Sequence, residues 1–157
     1  MTTTEPRINF GKHAAGFYGA MAHLDQAATK ELDNAGIDVL LRELVRIRAS
    51  QLNGCAFCID MHTKDARAAG ETEQRIYALT AWRETPFFSD RERAALALAE
   101  SVTLMPQTHV PDADFEEAAG QFSETELAAL ISLIVTINAW NGIGVTTHAF
   151  VPGSYQP

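Results

Sequence analysis

The sequence predicts an all-α fold: a single domain over residues 1–157, built as a bundle of about six to seven helices. Apolar residues recur every three or four positions in most segments, which is the spacing of one helix face. No segment shows the alternation of apolar and polar residues that is typical of a half-buried strand. The 157 residues, 46% hydrophobic and 20% charged, suffice for one domain with a buried core.

The chain is expected to begin with an extended arm over residues 1–10, anchored by Ile8 and Phe10. A helix follows from about residue 12 to 32. Its small and apolar residues recur at helical spacing: Ala14, Phe17, Tyr18, Met21, Leu24 and Ala28. Gly36 is expected to end this segment in the left-handed conformation that glycine adopts readily.

A helical hairpin forms the predicted centre of the fold, with residues 38–70 as its core motif. The first helix is expected over 38–53 and the second over 55–69, with Gly70 as the residue that ends it. Asn53-Gly54 is a strong turn signal. The two helices should therefore fold back on each other, so that their inner faces meet.

Four further helices complete the predicted bundle, at 72–83, 90–104, 111–119 and 124–150. Two Ser-x-x-Glu capping boxes mark helix starts: Ser89 with Glu92, and Ser123 with Glu126. Pro106 is expected to stop the helix before it. The last helix is apolar on nearly every side, which predicts a central position or a subunit contact. Gly142 and Gly144 within it are expected to permit close approach of another backbone.

Composition excludes several kinds of partner. The formal net charge is −8, which predicts an acidic surface and argues against binding nucleic acid or an anionic membrane. The first ten residues lack the apolar core of a signal peptide, so a cytoplasmic location is expected. The longest apolar run, 127–140, contains Ser132, Thr136 and Asn138, and is too polar to predict a membrane span.

Both cysteines of the chain, Cys55 and Cys58, form a Cys-x-x-Cys motif at the start of the predicted second hairpin helix. A disulfide across so short a loop would remove little entropy from the unfolded chain. Without a secretion signal, such a pair indicates redox or metal chemistry instead of a structural cross-link. The free amide groups at a helix start favour the reactive thiolate form of a cysteine.

A histidine and an acid accompany the two thiols. His62 lies one helical turn after Cys58, on the same stripe of the helix. Glu43 falls on the apolar face of the preceding helix, between Val39 and Ile47, so it is expected to point inward. The set resembles a nucleophile, a base and an orienting acid, with a second thiol to resolve a sulfenic acid. It predicts two-electron reduction of a peroxide or a disulfide, and it leaves open which thiol attacks first.

Other interpretations of these residues remain. Glu43 could simply form an ion pair with Arg42 or Arg46, and His62 could be structural. Zinc is the main chemical rival, because four ligand types are present: Cys55, Cys58, His62 and Glu43. Structural zinc sites usually space their ligand pairs well apart, and no second Cys or His pair follows, so neither a metal nor a cofactor is expected. The remaining histidines, 13, 23, 109 and 148, are expected to be structural or solvent-facing, and Trp82 and Trp140 to belong to the core.

The pattern E-x11-C-x-x-C-x3-H, here Glu43, Cys55, Cys58 and His62, resembles the alkylhydroperoxidase D (AhpD)-like branch of the carboxymuconolactone decarboxylase superfamily. This resemblance implies an all-helical fold, homotrimers or hexamers, and a dithiol that reduces hydroperoxides. It implies re-reduction by a partner thiol system, such as a dihydrolipoyl or thioredoxin-like protein. By the same resemblance Cys58 would attack, Cys55 would resolve, and His62 with Glu43 would relay protons.

One position departs from that family pattern. The best-characterised members carry a histidine immediately before the second cysteine, where this chain has Phe57. The hydroperoxidase hypothesis therefore has two alternatives. One is decarboxylase or isomerase action on a small cyclic acid, although the decarboxylase branch generally lacks the cysteine pair. The other is a non-enzymatic oligomer whose thiols sense redox state.

Overall fold

The computed structural model describes residues 5–157, which form nine α-helices and one 3₁₀ helix, with no strand among these residues. The helices are α1 Phe10–His13, α2 Ala15–Asn34, α3 Val39–Asn53, α4 Ala56–Ala68, α5 Glu73–Ala78, α6 Asp90–Thr103, α7 Met105–Thr108, α8 Asp112–Ala119 and α9 Glu124–Thr147. The 3₁₀ helix, Leu79–Glu84, follows α5 directly. The predicted all-α class and the central hairpin are confirmed.

All seven predicted helices are present. The described residues contain two more, α1 and α7, which were not predicted and have only four residues each. Such short helices lack a periodic pattern that a sequence could reveal. Pro106 lies inside α7, near its start, where proline is tolerated. The helix predicted over 72–83 consists of α5 and the 3₁₀ helix, and Ala81 within the latter departs from helical geometry. The last helix ends at Thr147, because His148 adopts a left-handed conformation with φ of 53°.

The predicted arm is only partly correct. Residues 1–4 of it lie outside the described part of the chain, and Phe10 already begins α1. Ile8 is exposed and does not anchor the arm. Arg7 does so instead, through its backbone N–H to the carbonyl oxygen of Thr147 at 2.8 Å and its guanidinium to Thr146.

Helix α3 is the centre of the bundle and packs against α4, α6 and α9. Its Leu41 and Val45 belong to one apolar cluster, with residues of α6, α8 and α9, and its Leu44 and Ile47 belong to a second, with Leu79 and Trp82. With apolar clusters on two sides, α3 is buried along most of its length, including Glu43. Val39 was predicted on the inner face but is 50% exposed, since it is the first residue of the helix, beside the N-cap Asp38.

Local signals explain where the helices begin and end. Asp38 caps α3 by accepting hydrogen bonds from the backbone N–H groups of Leu40 and Leu41. Both predicted capping boxes are present, at the starts of α6 and α9. Gly36 and Gly70 have positive φ values, as predicted for residues that follow a helix.

Helix α9 packs against α2, α3 and α6 and supplies much of the core. Within the described residues it is the one helix whose length and composition would permit a membrane span, with a mean hydropathy of 1.6. The most apolar window of the helix is 44% buried inside the domain. A core helix has the same composition, so this feature is weak evidence for a membrane.

Candidate active site

The turn between α3 and α4 places both cysteines. Gly54 has φ of 70°, a left-handed conformation that suits glycine, and it ends α3. The N–H of Cys55 then donates to the carbonyl oxygen of Ser50 at 3.0 Å, and α4 begins at Ala56. Cys55 is thus the N-cap residue of α4 and Cys58 lies in its first turn, as predicted.

Two asparagines of α9 hold this turn against the core. The side-chain NH₂ of Asn141, which is fully buried, donates to Ser50 Oγ at 3.0 Å. The NH₂ of Asn53 donates to Asn138 Oδ1 at 2.7 Å and to Asn141 Oδ1 at 3.0 Å. These bonds fix α9 to the last turn of α3 just before Cys55. No local pattern predicts these roles for Asn138 and Asn141, because their partners lie more than 80 residues away in the chain.

Cys55 and Cys58 form a disulfide bond, and each is only 3% exposed. A methyl group on Gly144 of α9 would lie 3.2 Å from the sulfur of Cys55 and 3.4 Å from the ring of Phe150. The predicted close approach exists at Gly144, but a side-chain sulfur and an aromatic ring come near instead of the expected backbone. It is wrong at Gly142, which has open space beside its Cα.

Glu43 and His62 form a buried pair across the hairpin. Glu43 Oε2 lies 2.9 Å from His62 Nδ1, and Glu43 Oε1 lies 2.5 Å from a guanidinium nitrogen of Arg46. The two side chains are 5% and 6% exposed, so the predicted inward orientation of Glu43 is confirmed. The ion pair with Arg46 that the sequence also allowed exists as well, whereas Arg42 pairs with Asp33.

The environment keeps Glu43 ionised. Burial raises the pKa of this carboxyl group, but the hydrogen bond from His62 and the positive charge of Arg46 together lower it further, and the net pKa lies below the ordinary value. A carboxylate can only accept hydrogen bonds, so Nδ1 of His62 carries the proton in this pair. The other ring nitrogen, Nε2, is then the atom that can accept or release a proton.

A cavity of about 460 Å³ opens beside Cys58 and His62. Most of its wall is apolar, formed by Tyr18, Phe57, Met61, Leu133, Ile137, Trp140 and Phe150, and its polar members are Asp25, Arg46 and Asp65. The ring centroids of Phe57 and Phe150 lie 5.1 Å apart, and those of Tyr18 and Trp140 lie 5.5 Å apart. Trp82 is buried in the core as predicted, but Trp140 is half-buried at this wall.

The site does not have the form of the zinc site considered above. Sulfurs joined in a disulfide are not thiolates and cannot bind zinc in this state. A different trio, Glu43, His62 and Asp65, brings its oxygen and nitrogen atoms within 4.8 Å of one another. Arg46 places a fixed positive charge on Glu43, which would repel a cation there. We therefore interpret these groups as an ion-pair and hydrogen-bond network.

The structure thus brings together all four residues singled out in the sequence. Cys58 and His62 line the same cavity, Cys55 is bonded to Cys58, and Glu43 is bonded to His62. In the described part of the chain, Cys58 and His62 are not joined by a direct hydrogen bond. Of the other histidines, 13, 23 and 109 are exposed and His148 is half-buried.

The described chain is thus an all-helical domain with a disulfide at the start of one hairpin helix, beside a buried Glu–His pair. These features are those of a helical thiol–disulfide domain. The sequence profile of the carboxymuconolactone decarboxylase family matches residues 15–101. The chain belongs to the carboxymuconolactone decarboxylase superfamily, in its AhpD-like branch.

Individual relatives agree with this assignment. The uncharacterized protein YdfG of Bacillus subtilis (strain 168) is 49% identical over 116 residues, which are 74% of this chain and 79% of YdfG. A crystal structure from Agrobacterium tumefaciens superimposes with a TM-score of 0.85 and 35% identity, covering 98% of this chain and 99% of that one. That protein is of unknown function and has been provisionally named as the antioxidant defence protein AhpD.

The same fold also occurs in the debrominase Bmp8. Its apo crystal structure has a TM-score of 0.76 and 20% identity, over 90% of this chain and 74% of that one. At that identity the likeness shows the shared fold alone. Fold and family therefore do not fix the reaction, which has to be argued from the site.

Proposed function

We propose that this protein is a thiol-dependent peroxidase that reduces hydroperoxides by cycling Cys55 and Cys58 between dithiol and disulfide. The proposal rests on the position of the disulfide. The bond lies beside a cavity, at the start of a helix, next to a buried Glu43–His62 pair. This arrangement has a nucleophile, a proton acceptor and a group that orients the acceptor.

Cys58 is the better candidate for the attacking thiol. Its side chain lines the cavity, whereas the sulfur of Cys55 lies against Gly144 and is not part of the cavity wall. A peroxide that entered the cavity would reach Cys58 first. Cys58 also lies in the first turn of α4, where unpaired backbone N–H groups favour a thiolate.

The proposed reaction balances in two steps. The Cys58 thiolate attacks one peroxide oxygen and the O–O bond breaks, giving a sulfenic acid on Cys58 and an alkoxide that takes up the thiol proton. The thiol of Cys55 then attacks the sulfenic sulfur, a disulfide forms, and hydroxide leaves as water with the second thiol proton. In sum, one dithiol and one hydroperoxide give one disulfide, one alcohol and one water.

His62 and Glu43 move the proton in the first step. The imidazole takes the proton of Cys58 and returns it to the leaving alkoxide, through a water in the cavity, because no direct bond to Cys58 is present in the described structure. Glu43 holds Nδ1 and stabilises the positive charge that develops on the ring. Phe57 stands where the best-characterised family members have a second histidine. His62 is therefore the one imidazole in the described cavity wall for this proton transfer.

A thiol reductant must reopen the disulfide before the next cycle. A dihydrolipoyl or thioredoxin-like protein is the expected partner, which fits a cytoplasmic location with its reducing thiol pool. We also expect a homo-oligomer, a trimer or a hexamer, since Phe17, Leu24 and Val135 expose apolar side chains on the α2 and α9 side of the domain.

The proposal is tested by product analysis of a single turnover. Fully reduced protein is mixed with less than one equivalent of cumene hydroperoxide, and the alcohol and the Cys55–Cys58 disulfide are quantified. Equal yields of alcohol and disulfide for each peroxide consumed are expected. Peroxide that remains unconsumed, or that disappears without formation of the disulfide, would contradict the proposal.

The two alternatives give different results in related experiments. A decarboxylase or isomerase acting on a small cyclic acid would keep its activity in the double variant Cys55→Ser/Cys58→Ser. A redox-sensing oligomer would change its subunit association on oxidation, measured by sedimentation, while peroxide turnover stayed negligible.

A further inference from the structure

The chain beyond α9 returns across α4 and is fastened to it by three hydrogen bonds. The N–H of Gly153 donates to Asp60 Oδ2 at 2.9 Å, and Lys64 Nζ donates to the carbonyl oxygen of Tyr155 at 2.9 Å. The hydroxyl of Tyr155 donates to Asp65 Oδ1 at 2.6 Å. The first two bonds only attach the segment to the helix. The third reaches a side chain of the candidate active site.

Asp65 lies between this segment and the Glu43–His62 pair. It lines the cavity, and its carboxylate lies within 4.8 Å of ligand atoms of Glu43 and His62. Among the described residues no protein donor is bonded to its second oxygen, Oδ2. Asp65 is half-buried and lines the cavity, and its Oδ1 is held by Tyr155 while its Oδ2 has no protein donor among the described residues.

Within the buried pair both carboxylate oxygens of Glu43 have partners, so Nε2 of His62 is the acceptor that remains. Arg46 occupies one oxygen of Glu43 and His62 occupies the other, and both members of the pair are almost fully enclosed. His62 itself lines the cavity, so a proton taken up at Nε2 can pass to the water there or to another group that faces the same space. Besides Cys58 and the pair itself, the charged or titratable groups around that space are Arg46 from α3, Asp25 and Tyr18 from α2, and Asp65 with Tyr155. Helix α9 contributes only apolar side chains to the wall.

Tyr155 is suited to hold Asp65 and not to take part in proton transfer itself. Its hydrogen bond to Asp65, its partial burial, and the negative charges of Asp65 and Glu43 together raise the pKa of Tyr155 to about 12. The hydroxyl thus stays protonated at neutral pH and acts as a donor to Asp65 throughout.

We propose that Asp65, oriented by Tyr155, is a second carboxylate of the proton relay and passes protons between the Glu43–His62 pair and water in the cavity. This inference rests on the proposed function, because it concerns the path by which the thiol proton of Cys58 passes from His62 through cavity water to the leaving alkoxide. Tyr155 is a positioning residue in this scheme. Its position near the end of the chain explains why the spacing of the central motif gave no indication of it.

Four variants separate this role from simple attachment of the segment, and one of them, Asp65→Glu, keeps the carboxylate at position 65. Asp65→Asn removes the charge and keeps the shape, and Tyr155→Phe removes only the hydroxyl. Asp60→Asn is the matched control, since it weakens another attachment of the same segment without touching the pair. Urea unfolding of each variant establishes that it is folded before its kinetics are compared.

The rate of oxidation by cumene hydroperoxide in a single turnover is then measured as a function of pH. We expect Asp65→Asn to lower the rate roughly tenfold and to change the pH profile, because proton transfer by positioned side chains typically contributes about 100-fold or more and His62 and Glu43 remain in place. Tyr155→Phe should lower the rate less, Asp65→Glu should restore part of it, and Asp60→Asn should match the wild type. An equal loss in Asp60→Asn, or an unchanged rate and profile in Asp65→Asn, would overturn the proposal.

A second readout separates failure of the relay from failure of the proposed function. The alkylation rate of Cys58 by iodoacetamide is measured against pH in the Cys55→Ser background, with and without each substitution. If the wild type does not react with peroxide, the proposed function fails, and this profile alone decides the relay. A profile changed by Asp65→Asn but not by Asp60→Asn supports the relay, and a profile changed by neither contradicts it.

Discussion

Glu43 Oε2 is bonded to His62 Nδ1 at 2.9 Å, in a contact that ties α3 to α4 inside the protein. The same carboxylate holds Arg46 through its other oxygen. One buried acid therefore stabilises the hairpin and orients the imidazole beside Cys58. Its replacement should affect both folding and reactivity.

Glu43→Gln keeps the size of the side chain and removes its charge. The buried His62 and the partly exposed Arg46 then lose their charged partner, and we expect the free energy of unfolding to fall by roughly 2 kcal/mol. Oxidation by peroxide should slow by about 10- to 100-fold. Urea unfolding and single-turnover kinetics measure the two effects. Glu116→Gln, at an exposed site on α8, is the control and should leave the free energy of unfolding and the oxidation rate unchanged. If Glu43→Gln also left both quantities unchanged, the role assigned to Glu43 would be contradicted.

Acid should weaken the protein partly through Glu43. The pKa of this group is lower in the folded protein than its ordinary value, so it stabilises the fold at pH values above the unfolded pKa, about 4.3. This contribution is lost as the pH falls through the lower, folded value. The difference in urea midpoint between wild type and Glu43→Gln should therefore be large at neutral pH and shrink in acid. A difference that stayed constant across this range would be inconsistent with a depressed pKa.

Two glycines of α9 offer a comparison within one helix. Alanine normally stabilises a helix interior relative to glycine by about 0.5–1 kcal/mol, and Gly142→Ala should show this gain because its surroundings are open. Gly144→Ala would place a methyl group 3.2 Å from the sulfur of Cys55. Crowding of this kind typically costs about 1–3 kcal/mol, so a net loss is expected in the oxidised protein. Equal gains for both variants in urea unfolding would show that this contact is loose.

The aromatic wall of the cavity should select for bulky hydroperoxides. Phe150 packs on Phe57 at 5.1 Å, and an aromatic contact of this kind is worth about 0.5–1.5 kcal/mol. We expect Phe150→Leu to raise KM for cumene hydroperoxide by about 3- to 10-fold and to leave KM for hydrogen peroxide unchanged. Phe115→Leu, at an exposed site on α8, is the control. Equal changes for both peroxides in Phe150→Leu would remove the argument for a substrate-binding wall.

The central hairpin could be predicted because its signals are local. The helical spacing of Cys55, Cys58 and His62, and the Asn53-Gly54 turn, depend only on neighbouring residues, and the structure has the stripe and the turn as expected. The inward position of Glu43 followed from the apolar face around it. The error at Val39 arose because periodicity identifies a face but does not show where packing along it begins.

The rest of the site depends on contacts between distant parts of the chain. Asn141 and Tyr155 bond to residues about 90 positions away, and no spacing rule connects them to the central motif. Trp140 lies among apolar neighbours in the sequence, as a core residue would. It becomes part of the cavity wall only through the arrangement of α2, α4 and α9. The breaks at Ala81 and His148 are changes of backbone conformation within sequences that are compatible with a helix.

In the proposed cycle Cys58 attacks a hydroperoxide and Cys55 resolves the product. Stopped-flow oxidation of the reduced protein by cumene hydroperoxide, compared in wild type, Cys58→Ser and Cys55→Ser, tests it most directly. We predict a wild-type rate well above that of a free thiol, a fall to the free-thiol rate in Cys58→Ser, and a normal first step without disulfide formation in Cys55→Ser. A wild-type rate no faster than a free thiol, or a Cys58→Ser variant that reacts like the wild type, would contradict the claim.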